Sequence, residues 1–318
     1  MTRLLSLLLL SLLITGSPAQ ISKAPVATVA SARRSLTKAH VVEKIRIYYT
    51  TEGEHAVISE DINGNGIPDQ VEDIMTQTVA ALQLWTNLGF ADPFTTKRYL
   101  GTSWLDIHLI SKDVLKSNGV TYDEIQSFKR AGDPEGTGSL CFNVATSVKA
   151  PANLTPAHEV FHILQNSVCY FKNRWFTEGT ARWSERALGQ GGLPTGLVPA
   201  LWPPNEATMP SIFTAAYDTA TTYWAPLLAQ RDKVGKLPKE KLPASLLDAR
   251  YVNGEPVLKD LDLTGWELIH DVLHALDEAD EGVYQQRQLT RWSEKDQFSP
   301  ENDATIHRIV REEAARRR

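Results

Sequence analysis

The segment His158-Glu159-Val160-Phe161-His162 constrains the fold of this chain more than any other. In an α-helix two histidines at this spacing lie about one turn apart on one face, where they can bind one ion together. Glu159 lies near the same face, within reach of a water on an ion that the imidazoles hold. Thr155 suits the helix N-cap and Pro156 the first helical position. Val160, Phe161, Leu164 and Val168 line the opposite face, so the helix predicted over 156–170 buries that face in a core. A third ligand candidate is Glu178, sixteen residues after His162. A turn before the helix predicted over 175–188 lets that helix fold back on the first. Two His and one carboxylate leave the fourth position of a tetrahedral zinc open, as in catalytic sites rather than closed structural ones.

The chain around this segment is that of a globular protein. Hydrophobic residues make up 42% and charged residues 22% of 318, which argues against disorder, collagen-like repeats and a polytopic membrane protein. A formal charge of -5 with no basic run argues against a nucleic-acid partner. Arg3 precedes an apolar run over 4–14 that is too short to span a bilayer, and Ser17 and Ala19 supply small residues ahead of a cleavage point. Residues 1–19 therefore read as a signal peptide. No later stretch suits a membrane span, and the expected location is secreted or periplasmic, with no membrane contact once the signal is removed. Residues 20–38 read as a flexible leader or short pro-segment. Residues 39–232 hold the domain that carries the motif, and 233–318 a C-terminal helical segment. Strands are expected over 40–50, 103–111 and 139–148, and further helices over 68–88, 211–231 and 263–280. Strands first and helices afterwards point to an α+β fold with a small mixed sheet. Export permits disulfides. Cys141 and Cys169 are the two cysteines and admit one intramolecular pairing, the alternative being two buried thiols.

Two further segments bear on metals. Asp61 to Glu72 fits the twelve-residue calcium-loop pattern. Asp61, Asn63, Asn65 and Glu72 offer side-chain oxygens, Ile67 its carbonyl, and Asp69 a water-mediated contact, while Gly66 permits the sharp turn. A strand and turn precede the loop, and Pro68 lacks an N–H, so the loop is not a true EF-hand. A structural Ca²⁺ is expected. The alternative is an Asx-rich turn capping the next helix. His270 and His274 repeat the four-residue spacing around Asp271, but no Trp-x-x-Glu-Gly segment follows. Trp266, Leu268, Ile269, Val272, Leu273 and Leu276 fit an ordinary amphipathic helix, so this second pair reads as packed or solvated histidine.

HEVFHILQ followed by WFTEGTARWSE resembles the gluzincin metallopeptidases. D-x-N-x-N-G-x-P-D-x-V-E ahead of that pair resembles a group of exported bacterial metallopeptidase-like proteins, and the likeness extends over about residues 45–230. The resemblance implies a zincin-like fold and zinc held by His158, His162 and Glu178. It also implies Glu159 as general base toward a zinc-activated water, and hydrolysis of peptide bonds in a peptide or protein, as an endopeptidase more than an exopeptidase. It further implies an edge strand near 139–148 that pairs with extended substrate. In one respect the chain departs from it. The thermolysin-type pattern has an Asp four residues after the Glu ligand, whereas Arg182 stands there, and Glu185 is the candidate to orient a histidine instead. Tyr217 and Tyr223 are candidates to donate to the oxyanion. A second reading keeps fold and metal without turnover, as a calcium-stabilised binding or adhesion module.

Overall fold

The computed structural model describes residues 26–127, 132–189, 202 and 204–317. The signal peptide expected over 1–19 lies outside them. In chain order the main elements are α1 (Val26–Ser35), β1 (Lys38–Val42), β2 (Ile45–Tyr49), α2 (Asp69–Asn87), β3 (Thr102–Ile110), β4 (Gly119–Gln126), β5 (Gly138–Ala145), α3 (Thr155–Val168), α4 (Arg174–Ser184), α5 (Trp266–Gln286) and α6 (Glu301–Arg316). The fold is mixed α+β. Among the described residues the five strands form one sheet in the order β1-β2-β3-β5-β4. β2, β3 and β5 run parallel, while β1 and β4 are antiparallel edges. α2 lies between the parallel pair β2 and β3 in the chain, as a crossover requires.

The pleat sorts side chains between two layers. Ile45, Ile47, Leu105, Ile107, Leu140, Phe142 and Val144 join Val71, Ile74, Leu84, Trp85, Val160, Phe161 and Leu164 in one hydrophobic core. Alternate residues face the other way, beneath α1. There Val29, Ala32 and Leu36 pack on Tyr48 and Ile110. Beside them Arg46 grips Asp106 with two bonds of 2.6 and 2.9 Å, and Arg33 donates to Asn143 at 3.1 Å. Of the leader expected over 20–38, Val26–Ser35 form α1, which covers this face, and Lys38 belongs to β1, while 20–25 lie outside the described residues.

Other expectations are corrected too. The single strand expected over 40–50 is a hairpin, with Val42 opposite Ile45 and Glu43 at φ 50 in the two-residue turn. The strand over 139–148 is an interior strand, paired on both sides and buried at each position of β5. It is therefore not an edge strand; among the described residues β4 is. The helix expected over 211–231 is broken into Met209–Thr214, a π-helical turn over Ala220–Trp224 and Ala225–Arg231. Pro226 removes one ladder donor where the last two meet. Cys141 and Cys169 are not bridged, and both are buried thiols. Cys141 points to the α1 side of the sheet, 3.5 Å from His108 Nδ1, whereas Cys169 ends α3 within the core on the other side.

The 233–318 segment shares that core. Trp266, Val272, Leu273, Ile306 and Val310 belong to the same cluster as Phe161. Asp303 of α6 accepts from Trp175 Nε1 and Asn173 Nδ2, both at 2.7 Å, and so pins the start of α4. Among the described residues no helix is long and apolar enough to cross a membrane.

Candidate metal centre

The centre is built on two helices. α3 buries Val160, Phe161 and Leu164, and Phe161 meets Trp85 edge-on with ring centroids 5.0 Å apart. That packing fixes which way the other face points. α4 follows after a short turn and packs back along α3, and its Gly179 faces a third segment. A Cβ there would stand 2.1 Å from Thr219 Oγ1 and 2.8 Å from Trp224 Nε1, so glycine lets the 219–224 segment close on α4. Tyr217, two residues before that segment, lies beside His158.

His158, His162 and Glu178 converge. His158 Nε2 and His162 Nε2 are 3.0 Å apart, and Glu178 Oε2 is 3.3 Å from the first and 3.4 Å from the second. Among the described residues this is the one group of three such side chains whose ligand atoms all lie within 4.8 Å of one another. A tetrahedral cation with bonds of about 2.0–2.1 Å needs its ligands about 3.3–3.4 Å apart, close to this triangle.

The outer groups are specific. His158 Nδ1 lies 2.8 Å from Glu185 Oε1, and Arg182 holds the other Glu185 oxygen at 2.5 Å. Glu185, the expected candidate, is thus the carboxylate that orients His158. His162 Nδ1 lies 2.7 Å from Gln165 Oε1. Gln165 Nε2 in turn donates to the Thr177 carbonyl at 3.0 Å and to Thr180 Oγ1 at 2.6 Å, tying α3 to α4. Gln165 was not singled out by sequence reasoning. Its only signal is its place one turn beyond His162.

The charges explain the titration. Glu159, Glu178 and Glu185 bring three carboxylates to two imidazoles, and Arg174 and Arg182 stand at the solvent rim. Burial opposes charge on His158, but Glu178 and Glu185 outweigh it and raise its pKa to about 10. Burial likewise works against ionised Glu178, yet its contacts with His158 and His162 hold it far below the usual carboxylate range. Burial raises Glu159 above its ordinary value, against the pull of His158, His162 and the Thr121 hydroxyl. The site thus favours added positive charge, as a proton or as a cation.

The tyrosines separate. The Tyr217 ring lies 5.9 Å from the His158 ring and is 45% exposed. Burial, then the Glu178 and Glu159 carboxylates, push its hydroxyl up to about 12, so it remains a donor at neutral pH. Tyr223 is buried and its hydroxyl pairs with His307 Nδ1 at 2.8 Å, so it stays outside the site.

Among the described residues His270 and His274 gather no third ligand. His270 Nε2 lies 3.0 Å from the Gly89 carbonyl and Nδ1 3.0 Å from Asp271 Oδ1, which commits both ring nitrogens. The calcium-type loop draws Asp61, Asn63, Asn65 and Glu72 together. Glu72 takes the Asn63 and Asn65 amides at 2.9 and 2.6 Å, and Asp61 accepts from the Asn65 and Gly66 N–H groups at 3.1 and 2.8 Å. Asp69 is turned inward, accepting from the Ile62 N–H at 3.0 and 3.2 Å, and α2 begins at Asp69, just after Ile67 and Pro68. Comparison of the chain with protein-family models, curated proteins and solved structures returned no match.

Proposed function

We propose that the chain is an exported zinc metallopeptidase with a zincin-like fold of the gluzincin kind. The observation that carries this reading is the triangle of His158 Nε2, His162 Nε2 and Glu178 Oε2, with sides of 3.0, 3.3 and 3.4 Å, beside a buried Glu159. Two neutral imidazoles and one carboxylate are the donor set of a catalytic zinc, and the buried excess of carboxylate favours a divalent cation there. A zinc held by these residues supplies Lewis-acid chemistry, acidifying water toward neutral pH and polarising a carbonyl. Glu159 accepts the proton from the attacking water and returns it to the leaving amine. Tyr217, half-exposed next to His158, donates to the developing oxyanion. β4, the open edge beside α3, offers backbone groups to an extended peptide or protein substrate.

The test is cleavage of a peptide library by the purified, zinc-loaded chain. The Glu159→Gln variant should lose about 10²–10⁴-fold in kcat while keeping its zinc. A zinc-binding wild-type chain that cleaves nothing contradicts the enzyme and leaves the binding module.

A structural Ca²⁺ in the Asp61–Glu72 loop is proposed alongside. Its support is the clustering of the Asp61, Asn63, Asn65 and Glu72 side chains around a turn in which Gly66 takes φ 84.

A further inference from the structure

β4 meets α3 through polar contacts as well as apolar ones. Gly119, Thr121 and Asp123 are alternate residues of the strand and share one face. Thr121 Oγ1 lies 2.7 Å from Glu159 Oε2 and 3.1 Å from the Glu159 carbonyl oxygen. A hydroxyl has one proton, and the shorter contact, to the side-chain carboxyl oxygen, takes it. Gly119 faces the other carboxylate oxygen. A Cβ there would stand 2.2 Å from Glu159 Oε1 and 2.6 Å from Thr155 Cγ2. The carboxylate therefore fills the space that any side chain at position 119 would need.

The strand is itself anchored. Asp123 pairs with Arg98 at 2.5 Å and with Lys172 at 3.3 Å. Arg98 also donates to the Asn166 and Cys169 carbonyls at 2.5 and 2.9 Å, and Lys172 to the Cys169 carbonyl at 2.9 Å, so both cations bind the end of α3. β4 and α3 are thus fixed to each other at two points, at Glu159 and at the C-terminal end of the helix.

We propose that Thr121 is a positioning residue for Glu159, and that Gly119 and Thr121 together form a slot that holds the carboxylate in one orientation. The inference rests on the reading of Glu159 as the general base. The hydroxyl of Thr121 bonds to Glu159 and not to His158, His162 or Glu178, so its effect falls on proton transfer and not on metal binding.

The experiment compares wild type, Glu159→Gln, Thr121→Val and Thr121→Ser for zinc content, kcat and KM on a peptide that the wild type cleaves. Thr121→Val keeps the shape and deletes the donor. It should lower kcat by about 10–100-fold with KM within about twofold and zinc unchanged, and Thr121→Ser should recover most of the loss. Wild-type kcat in Thr121→Val, or an equal loss in Thr121→Ser, overturns the inference while Glu159→Gln still reports on the parent reading. Should Thr121→Val fail to fold, Gly119→Ala reads the slot from its other wall. A fall in kcat with zinc retained supports the slot, and an unchanged kcat overturns it. A wild type without cleavage overturns the parent reading and this inference with it.

Discussion

At the scale of residues, each imidazole is held from behind by a different group. Glu185 presents a carboxylate to His158 Nδ1 at 2.8 Å, and Gln165 presents an amide oxygen to His162 Nδ1 at 2.7 Å. A carboxylate makes an imidazole more basic and fixes its tautomer, which leaves Nε2 as the nitrogen turned toward His162 and Glu178. An amide fixes orientation with less charge. Gln165 spends its two N–H donors on α4, so it registers the helix carrying Glu178 against the helix carrying the histidines. Removal of Glu185 should therefore weaken metal binding without abolishing it. Glu185→Ala is expected to lower zinc affinity about 10–100-fold in competition with a chromophoric chelator. Affinity equal to wild type would show that the carboxylate has no hold on the metal.

At the scale of elements, the parts read from the sequence are those whose own pattern is sufficient. α3 carries its apolar face, its early proline and its two histidines in a single periodic run, and Glu178 sits in an equally periodic neighbour. β4 escaped because its stability is borrowed. Its residues GVTYDEIQ are partly exposed and polar, and it exists by pairing with β5 and by contacts with Glu159 and the end of α3. α1 escaped for a similar reason. Its Ala- and Ser-rich run has a weak apolar face, and it is ordered by Tyr48 and Ile110 from other elements. The cysteine pairing turned on which side of the sheet residue 141 faces, which depends on strand register. The loop before α2 belongs to this scale as well. In a His162→Ala background, which removes the zinc contribution, chelation by EGTA should lower the thermal midpoint by a few degrees, and Glu72→Gln should abolish that response. A midpoint indifferent to EGTA in that background contradicts a bound calcium.

At the scale of the whole molecule, α5 and α6 close the core behind the site, and one buried acid on α5 makes stability depend on pH. Asp280 accepts from the Tyr170 N–H at 2.7 Å, and burial raises its pKa to about 7, with Asp277 adding to the rise and Arg98 and Lys172 opposing it. The unfolded chain releases this proton near pH 4, about the ordinary Asp value. Between about pH 4 and 7 the folded state thus holds a proton that the unfolded state has lost, and stability falls by up to about 1.4 kcal/mol per pH unit as pH rises. The contribution is complete below pH 4. Asp280→Asn should remove this slope, so that urea denaturation finds it gaining on wild type between pH 4.5 and 7; parallel profiles would contradict the assignment. The proposed function rests on one cation being shared by His158, His162 and Glu178. Zinc stoichiometry of the purified chain and of His162→Ala and His274→Ala tests that most directly. One zinc per chain is expected in wild type and in His274→Ala, and none in His162→Ala. A wild type without zinc, or a His162→Ala variant that keeps it, would contradict the account.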